Sequence, residues 1–163
     1  MENVVFVPDV KAELTLSNRA GGLIIVETAV LHILNRYRQL HHSQPEQGGV
    51  FIGEIRPPHI IITHVTEPSP YDQASRFGFV RKKQHHQVMV DQLWHTSGGY
   101  LTYIGEWHTH PESNPLPSAT DVSSWRKGLP KNSTSIVAII GQKTDWWGYC
   151  ENGRCEALKN ILI

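Results

Sequence analysis

Two histidines one residue apart, with an aspartate eleven residues after the second, are the residues here best suited to chemistry. They are His108, His110 and Asp121 of GEWHTHPESNPLPSATD, residues 105–121. A proline-rich loop can carry exposed histidines with no ligand role, and the pair alone leaves that reading open. In a strand, however, residues i and i+2 share a face, so both imidazoles can aim at one point. Asp121 follows Ser-Ala-Thr near the start of the next expected helix, from which a carboxylate can turn back. Two histidines and one carboxylate are the usual ligands of a catalytic zinc, which keeps its fourth position for water. The expected cofactor is therefore Zn2+. Ser118 and Asp121 also read as a capping box, which needs no metal. The two readings coexist, because an acidic side chain is welcome at a helix start.

A zinc hydrolase needs a base for its water. Glu46, in PEQGGVFIGEI, stands just before two glycines and a strand. Read locally, it is a solvated loop charge, and nothing in its immediate neighbours gives it a function.

These residues have to be held by sheet and helix. LIIV (23–26) reads as a strand, and ETAVLHILNRYRQLHH as a helix with Val30, Ile33, Leu34 and Tyr37 at helical spacing. VFIGEI (50–55) and HIIITHVTEP (59–68) are β-branched runs joined across Arg56, Pro57 and Pro58, the pattern of a hairpin. SPYDQASRFGF reads as a loop. VRKKQHHQVMVDQLWHTSGG reads as a second helix carrying His86, Val90 and Leu93, stopped by Gly98-Gly99. YLTYIGEWHTH (100–110) is a strand with the histidines at its end, DVSSWRKGL a short helix and TSIVAIIG (134–141) a buried strand. WWGYCENGRCEAL closes as a hairpin about Asn152-Gly153. That turn pairs Glu151 with Arg154 and sets Cys150 opposite Cys155, with Cα atoms about 4.5 Å apart. The two are expected as adjacent, mostly reduced thiols, not as zinc ligands. The order of elements implies an α/β fold, a mixed sheet with helices packed on it.

The whole chain narrows the classes. Its 163 residues suit one domain. Fifteen basic and fifteen acidic residues balance, so charge gives no reason to expect nucleic acid or a membrane surface as partner. The start has no basic stretch followed by an apolar one, and no apolar run approaches the roughly 20 residues that span a bilayer. The expected location is the cytoplasm. Arg76, Arg81, Lys82 and Lys83 form a basic cluster, either a solvated helix start or a contact for an acidic partner.

Glu46, Gly49, Phe51 and Gly53, then His108-Thr109-His110, seven residues, Ser118, two residues and Asp121, together resemble the JAMM (JAB/MPN+) metalloprotease signature. The resemblance implies a single MPN/JAB-type domain over residues 1–163, with a mixed, cytidine-deaminase-like sheet flanked by helices. It implies a zinc isopeptidase that removes ubiquitin-like modifiers. His108, His110 and Asp121 match the metal ligands, Glu46 the general base, and Ser118 the serine that supports the oxyanion. RFGFVRKKQHHQVMVDQLWHTSGGYLTYIGEWHTHP is similar to bacterial stand-alone JAB peptidases of CBASS antiphage operons. That similarity implies a conjugated protein substrate, a CD-NTase or ubiquitin-like modifier with an extended C-terminal tail, and an E1/E2-like protein encoded nearby. The strand Val50–Ile55 is expected to offer its edge to that tail. The alternatives are a non-catalytic MPN-like binding module and a small-molecule amide hydrolase. A deaminase fits poorly: it needs His-x-Glu and Cys-x-x-Cys, and this chain has His-x-His and Cys-x4-Cys.

Overall fold

A computed structural model describes residues 13–69, 72–75, 78–80 and 83–161. In chain order the elements are β1 (Leu14–Ser17), β2 (Leu23–Val26), α1 (Thr28–Arg36), β3 (Gly48–Arg56), β4 (His59–Val65), β5 (Gln73–Ser75), β6 (Gly78–Val80), α2 (Lys83–Thr96), β7 (Thr102–Thr109), α3 (Ala119–Gly128), β8 (Ser135–Ile140), β9 (Asp145–Glu151), β10 (Arg154–Ala157) and β11 (Lys159–Asn160). Nine of the strands form one mixed sheet in the order β10-β9-β8-β7-β3-β4-β2-β1-β11. The β2/β4 and β7/β8 pairs are parallel and the others antiparallel.

Alternation along the central strands decides what each face buries. β8 is buried throughout: Ile136, Ala138 and Ile140 join one core with Val30 and Leu34 of α1, while Val137 and Ile139 join Trp125 and Leu129 on the other face. On that second face Val50 and Ile52 of β3 meet Val90 of α2. Helix α1 thus covers one side, and α2 and α3 the other. This is the mixed α/β single domain expected from the order of elements.

The outer strands β10 and β11 are separated by Leu158 alone. One belongs to each margin of the sheet, so the sheet curls until its two margins meet. The expectation that β3 offers an edge is overturned. β3 lies between β4 and β7, and its first six residues, Gly48–Gly53, pair with β7 while Phe51–Arg56 pair with β4. The error came from the hairpin signal, which reveals one neighbour and not the second. Among the described residues, the two-stranded sheet β5–β6 has no third strand on either side.

Three local readings also change. Helix α1 stops at Arg36, with Tyr37 as its C-cap. Beyond it the Gln44 side-chain oxygen accepts from the backbone N–H groups of Leu40 and His41. A side chain thereby replaces the helical acceptors. SPYDQASRFGF and the Val80 that follows it, expected to open the second helix, hold the strands of the β5–β6 hairpin, Gln73↔Val80 to Ser75↔Gly78, which are too short to show a period; α2 begins at Lys83. Cys150 and Cys155 face each other in the expected register, but they are joined as a disulfide, with Cα atoms 4.0 Å apart. They are not free thiols. Directly opposed non-hydrogen-bonded positions bring the two sulfurs into bonding reach. The turn itself is as expected, with positive φ at Asn152 and Gly153.

Glycine is required at position 49. A Cβ there would run into the carbonyl oxygen and hydroxyl of Thr66 and the indole nitrogen of Trp107. Those groups are placed by hydrogen bonds: Trp107 Nε1–H donates to Thr66 O at 3.2 Å, and Val50 N–H to Thr66 Oγ1 at 2.8 Å. Buried His86 of α2 binds Thr66 through Nδ1 and Asp72 through Nε2. The segment after β4 is so tied to α2.

Candidate metal centre

Strand β7 points His108 toward the face covered by α2 and α3, and His110 follows just past its end. Helix α3 begins beside them. Its N-cap Ser118 accepts from Asp121 N–H at 3.0 Å, and the Asp121 carboxylate accepts from Ser118 N–H at 2.8 Å. The capping box is real, and it aims the Asp121 carboxylate at the histidines. Oδ1 stands 3.1 Å from His108 Nε2, and Oδ2 3.3 Å from His110 Nε2. The two ring nitrogens are 3.1 Å apart, and one donor atom from each of the three residues keeps the set within 4.8 Å.

The donors fit a metal. Ligands about 2.0–2.1 Å from a tetrahedral zinc stand about 3.3 Å from each other, close to the gap between the two rings. The partners also set the ring's orientation. His110 Nδ1 lies 3.0 Å from Glu112 Oε1, so Nδ1–H donates there and Nε2 is the ring atom turned inward. It faces the His108 ring and the Asp121 carboxylate. Ring nitrogens and a carboxylate converging on one point are what a cation satisfies.

The electrostatics agree. Burial alone would raise the Asp121 carboxyl, but hydrogen bonds from both histidines, the His108 charge and the Ser118 N–H hold it far below the usual carboxylate range. Burial lowers the His110 imidazole, yet the Asp121 hydrogen bond and the surrounding Asp121, Glu46 and Glu112 charges raise it overall.

Glu46 is buried, which the local sequence did not indicate. Gly48 pairs with His108, and Gln47 exchanges backbone hydrogen bonds with Thr109 through its O, at 2.8 Å, and with the Thr109 hydroxyl through its N–H, at 3.0 Å. Continuing that antiparallel count sets Glu46 opposite His110, on the face of the ligands. Burial pushes its carboxyl upward; His110 and His108 oppose this, and Asp121 and Glu112 add to it. All five residues singled out from the sequence thus stand at one end of the β3–β7 pair. Lys83 opens α2 without a described side chain, and Arg76, Arg81 and Lys82 lie outside the described residues.

The profile described as prokaryotic homologs of the JAB domain matches residues 29–150. The chain belongs to that family. This JAB domain is 43% identical over 151 residues to a CD-NTase/cGAS isopeptidase of Escherichia coli, covering 93% of this chain and 97% of the relative. It is 38% identical to one of Vibrio cholerae, covering 91% and 96%. A probable metalloprotease of Sinorhizobium fredii is 32% identical over 59% of this chain and 57% of the relative. The solution structure of a Desulfitobacterium hafniense protein shares the fold, with a TM-score of 0.55 at 19% identity over 78% of this chain and 83% of that one. The family is one of metal-dependent hydrolases of JAMM type, and this JAB domain is an enzyme of that class. Its His108, His110 and Asp121 form a group that could hold a metal ion. Among the described residues no helix is long and apolar enough to cross a membrane.

Sequence reasoning missed Glu112, the partner of His110 two residues further on, and Trp125, which packs beneath His108 with ring centroids 6.3 Å apart.

Proposed function

We propose that this JAB domain is a zinc isopeptidase that removes a CD-NTase, or a similar modifier with an extended C-terminal tail, from proteins to which it is conjugated. The convergence of His108, His110 and Asp121 beside buried Glu46 carries the reading. The names of the E. coli and V. cholerae relatives support the substrate class. In this reading residues 1–163 act as one domain in the cytoplasm, and the gene lies beside one for an E1/E2-like protein that makes the conjugate.

His108, His110 and Asp121 would hold the zinc. When bound, zinc supplies a Lewis acid that brings the pKa of a water toward neutrality and polarises the scissile carbonyl. Glu46 takes the proton of the attacking water on its carboxylate and passes it to the leaving amine nitrogen. Its burial suits it to hold that proton between the two steps. Ser118 Oγ is an acceptor in the capping box, which leaves its O–H to donate to the oxygen where negative charge develops. Glu112 keeps the His110 ring turned toward the ligand point.

The test is a linear fusion of a CD-NTase to an unrelated protein. We expect cleavage at the junction, after the last residue of the CD-NTase, and loss of cleavage when the tail is shortened, with zinc content unchanged. A protein that cuts peptides of any sequence equally, or only small amides, is a general or small-molecule hydrolase. One that keeps zinc and cuts nothing is a binding module.

A further inference from the structure

We infer that Gln39 is a positioning residue for Glu46, a buried carboxamide that fixes where the base stands relative to the metal ligands. The inference rests on the reading of Glu46 as the base. Gln39 lies in the irregular segment after α1 and is completely buried, at 0% exposure. Its Nε2–H donates to Gln44 O at 3.1 Å, and its Oε1 accepts from the Thr109 hydroxyl at 2.9 Å, across 70 residues of sequence. The Thr109 oxygen in turn accepts from Gln47 N–H, and Thr109 N–H donates to Gln47 O. Gln44 and Gln47 stand on either side of the Pro45-Glu46 pair, and Thr109 is the residue between His108 and His110. The backbone oxygen of Gln39 is itself held by Gln142 Nε2 at 2.9 Å.

Geometry makes this a clamp rather than a filler. The segment carrying Glu46 is neither helix nor strand until Gly48. No ladder fixes its backbone ahead of Gln47, so side chains must. One group has to accept from the metal strand and donate to the base segment at once, and a carboxamide does both. Glutamate keeps the acceptor and loses the donor; leucine loses both. The demand on position is severe, because a base displaced by about 1 Å costs roughly 10²-fold in rate. The rival explanation is a core amide that merely satisfies buried polar groups. It predicts lost stability with no particular tie to Glu46.

The experiment combines Gln39→Leu with Glu46→Gln on the zinc-loaded protein, using the CD-NTase fusion as substrate. Zinc per chain, melting temperature, kcat and KM are measured for each single variant and the double. We expect Gln39→Leu to keep one zinc and a KM within about twofold, while kcat falls roughly 10–10²-fold. In the Glu46→Gln background the same substitution should cost almost nothing more, because its effect passes through the missing base. Thr109→Val should repeat the pattern and Thr109→Ser should restore kcat, which carries the test if Gln39→Leu does not fold. An equal loss of kcat from Gln39→Leu in both backgrounds, or wild-type kcat in Gln39→Leu, overturns the positioning role alone. Wild-type turnover by Glu46→Gln removes the base assignment instead, and this inference with it.

Discussion

Removing the His108 imidazole takes away one of three donors that meet at a point. His108→Ala should therefore bind less than stoichiometric zinc in elemental analysis of the purified protein; full zinc content would mean the ligands lie elsewhere. Glu46→Gln separates binding from chemistry, because the carboxamide fills the same space and cannot take a proton. Zinc should stay at one per chain while kcat falls about 10²–10⁴-fold, read with the CD-NTase fusion. At this scale the site was legible as far as its spacing reached. His108 and His110 share a strand face, and Ser118 and Asp121 form a helix start whose carboxylate faces both histidines. The burial of Glu46 was not legible, because the neighbouring Gln47 pairs with Thr109, 62 residues away in sequence, and no local pattern joins the two. Glu112 was within reach, since a second acid two residues past a ligand histidine is a candidate to orient it.

Among the elements, the β9–β10 hairpin matters to the site through α3. Cys150 joins Trp125 and Leu129 of the α3 end in one core cluster, with Cys155 packed against it. A Cβ on Gly153 at the turn would touch Arg126 of the helix. The hairpin is thus the floor under the helix that presents Asp121. Closing so short a loop is worth about 2 kcal/mol in the chain-entropy account. Replacing both cysteines by serine should lower the melting temperature by about 4–8 °C and leave zinc binding intact, as neither sulfur is a ligand. Loss of zinc in that variant would instead make the hairpin part of the metal site. The hairpin's register was readable from Asn152-Gly153 alone, because two positive-φ residues admit few alternatives. The end of α1 was not: its apolar spacing runs on to Tyr37, and the bonds that hold the chain out of the helix, Gln44 Oε1 to Leu40 and His41 N–H and Arg38 to Gly141 O and Asp145, lie outside that pattern.

Across the whole molecule, the strands carried by longer apolar runs were found, and the shortest ones, β1, β5, β6 and β11, were not. β1 and β11 join residues 14–17 to residues 159–160, and no periodicity within four or two residues could reveal that. For the same reason the sheet centre was misplaced, since β7, the second neighbour of β3, lies some fifty residues downstream. The β1–β11 ladder has a mechanical consequence. β1 and β11 are antiparallel, with Ile161 N–H on Thr15 O at 2.9 Å, so the chain enters and leaves this ladder side by side. Tension applied from outside residues 14–161 bears on one rung at a time, as in a zipper, while tension along the strands would load all rungs together. In an optical trap, the protein should release β1 and β11 in an early, low-force step before the core around β3, β7 and β8 gives way. A single high-force rupture would mean that these two strands are clamped by more than their own hydrogen bonds.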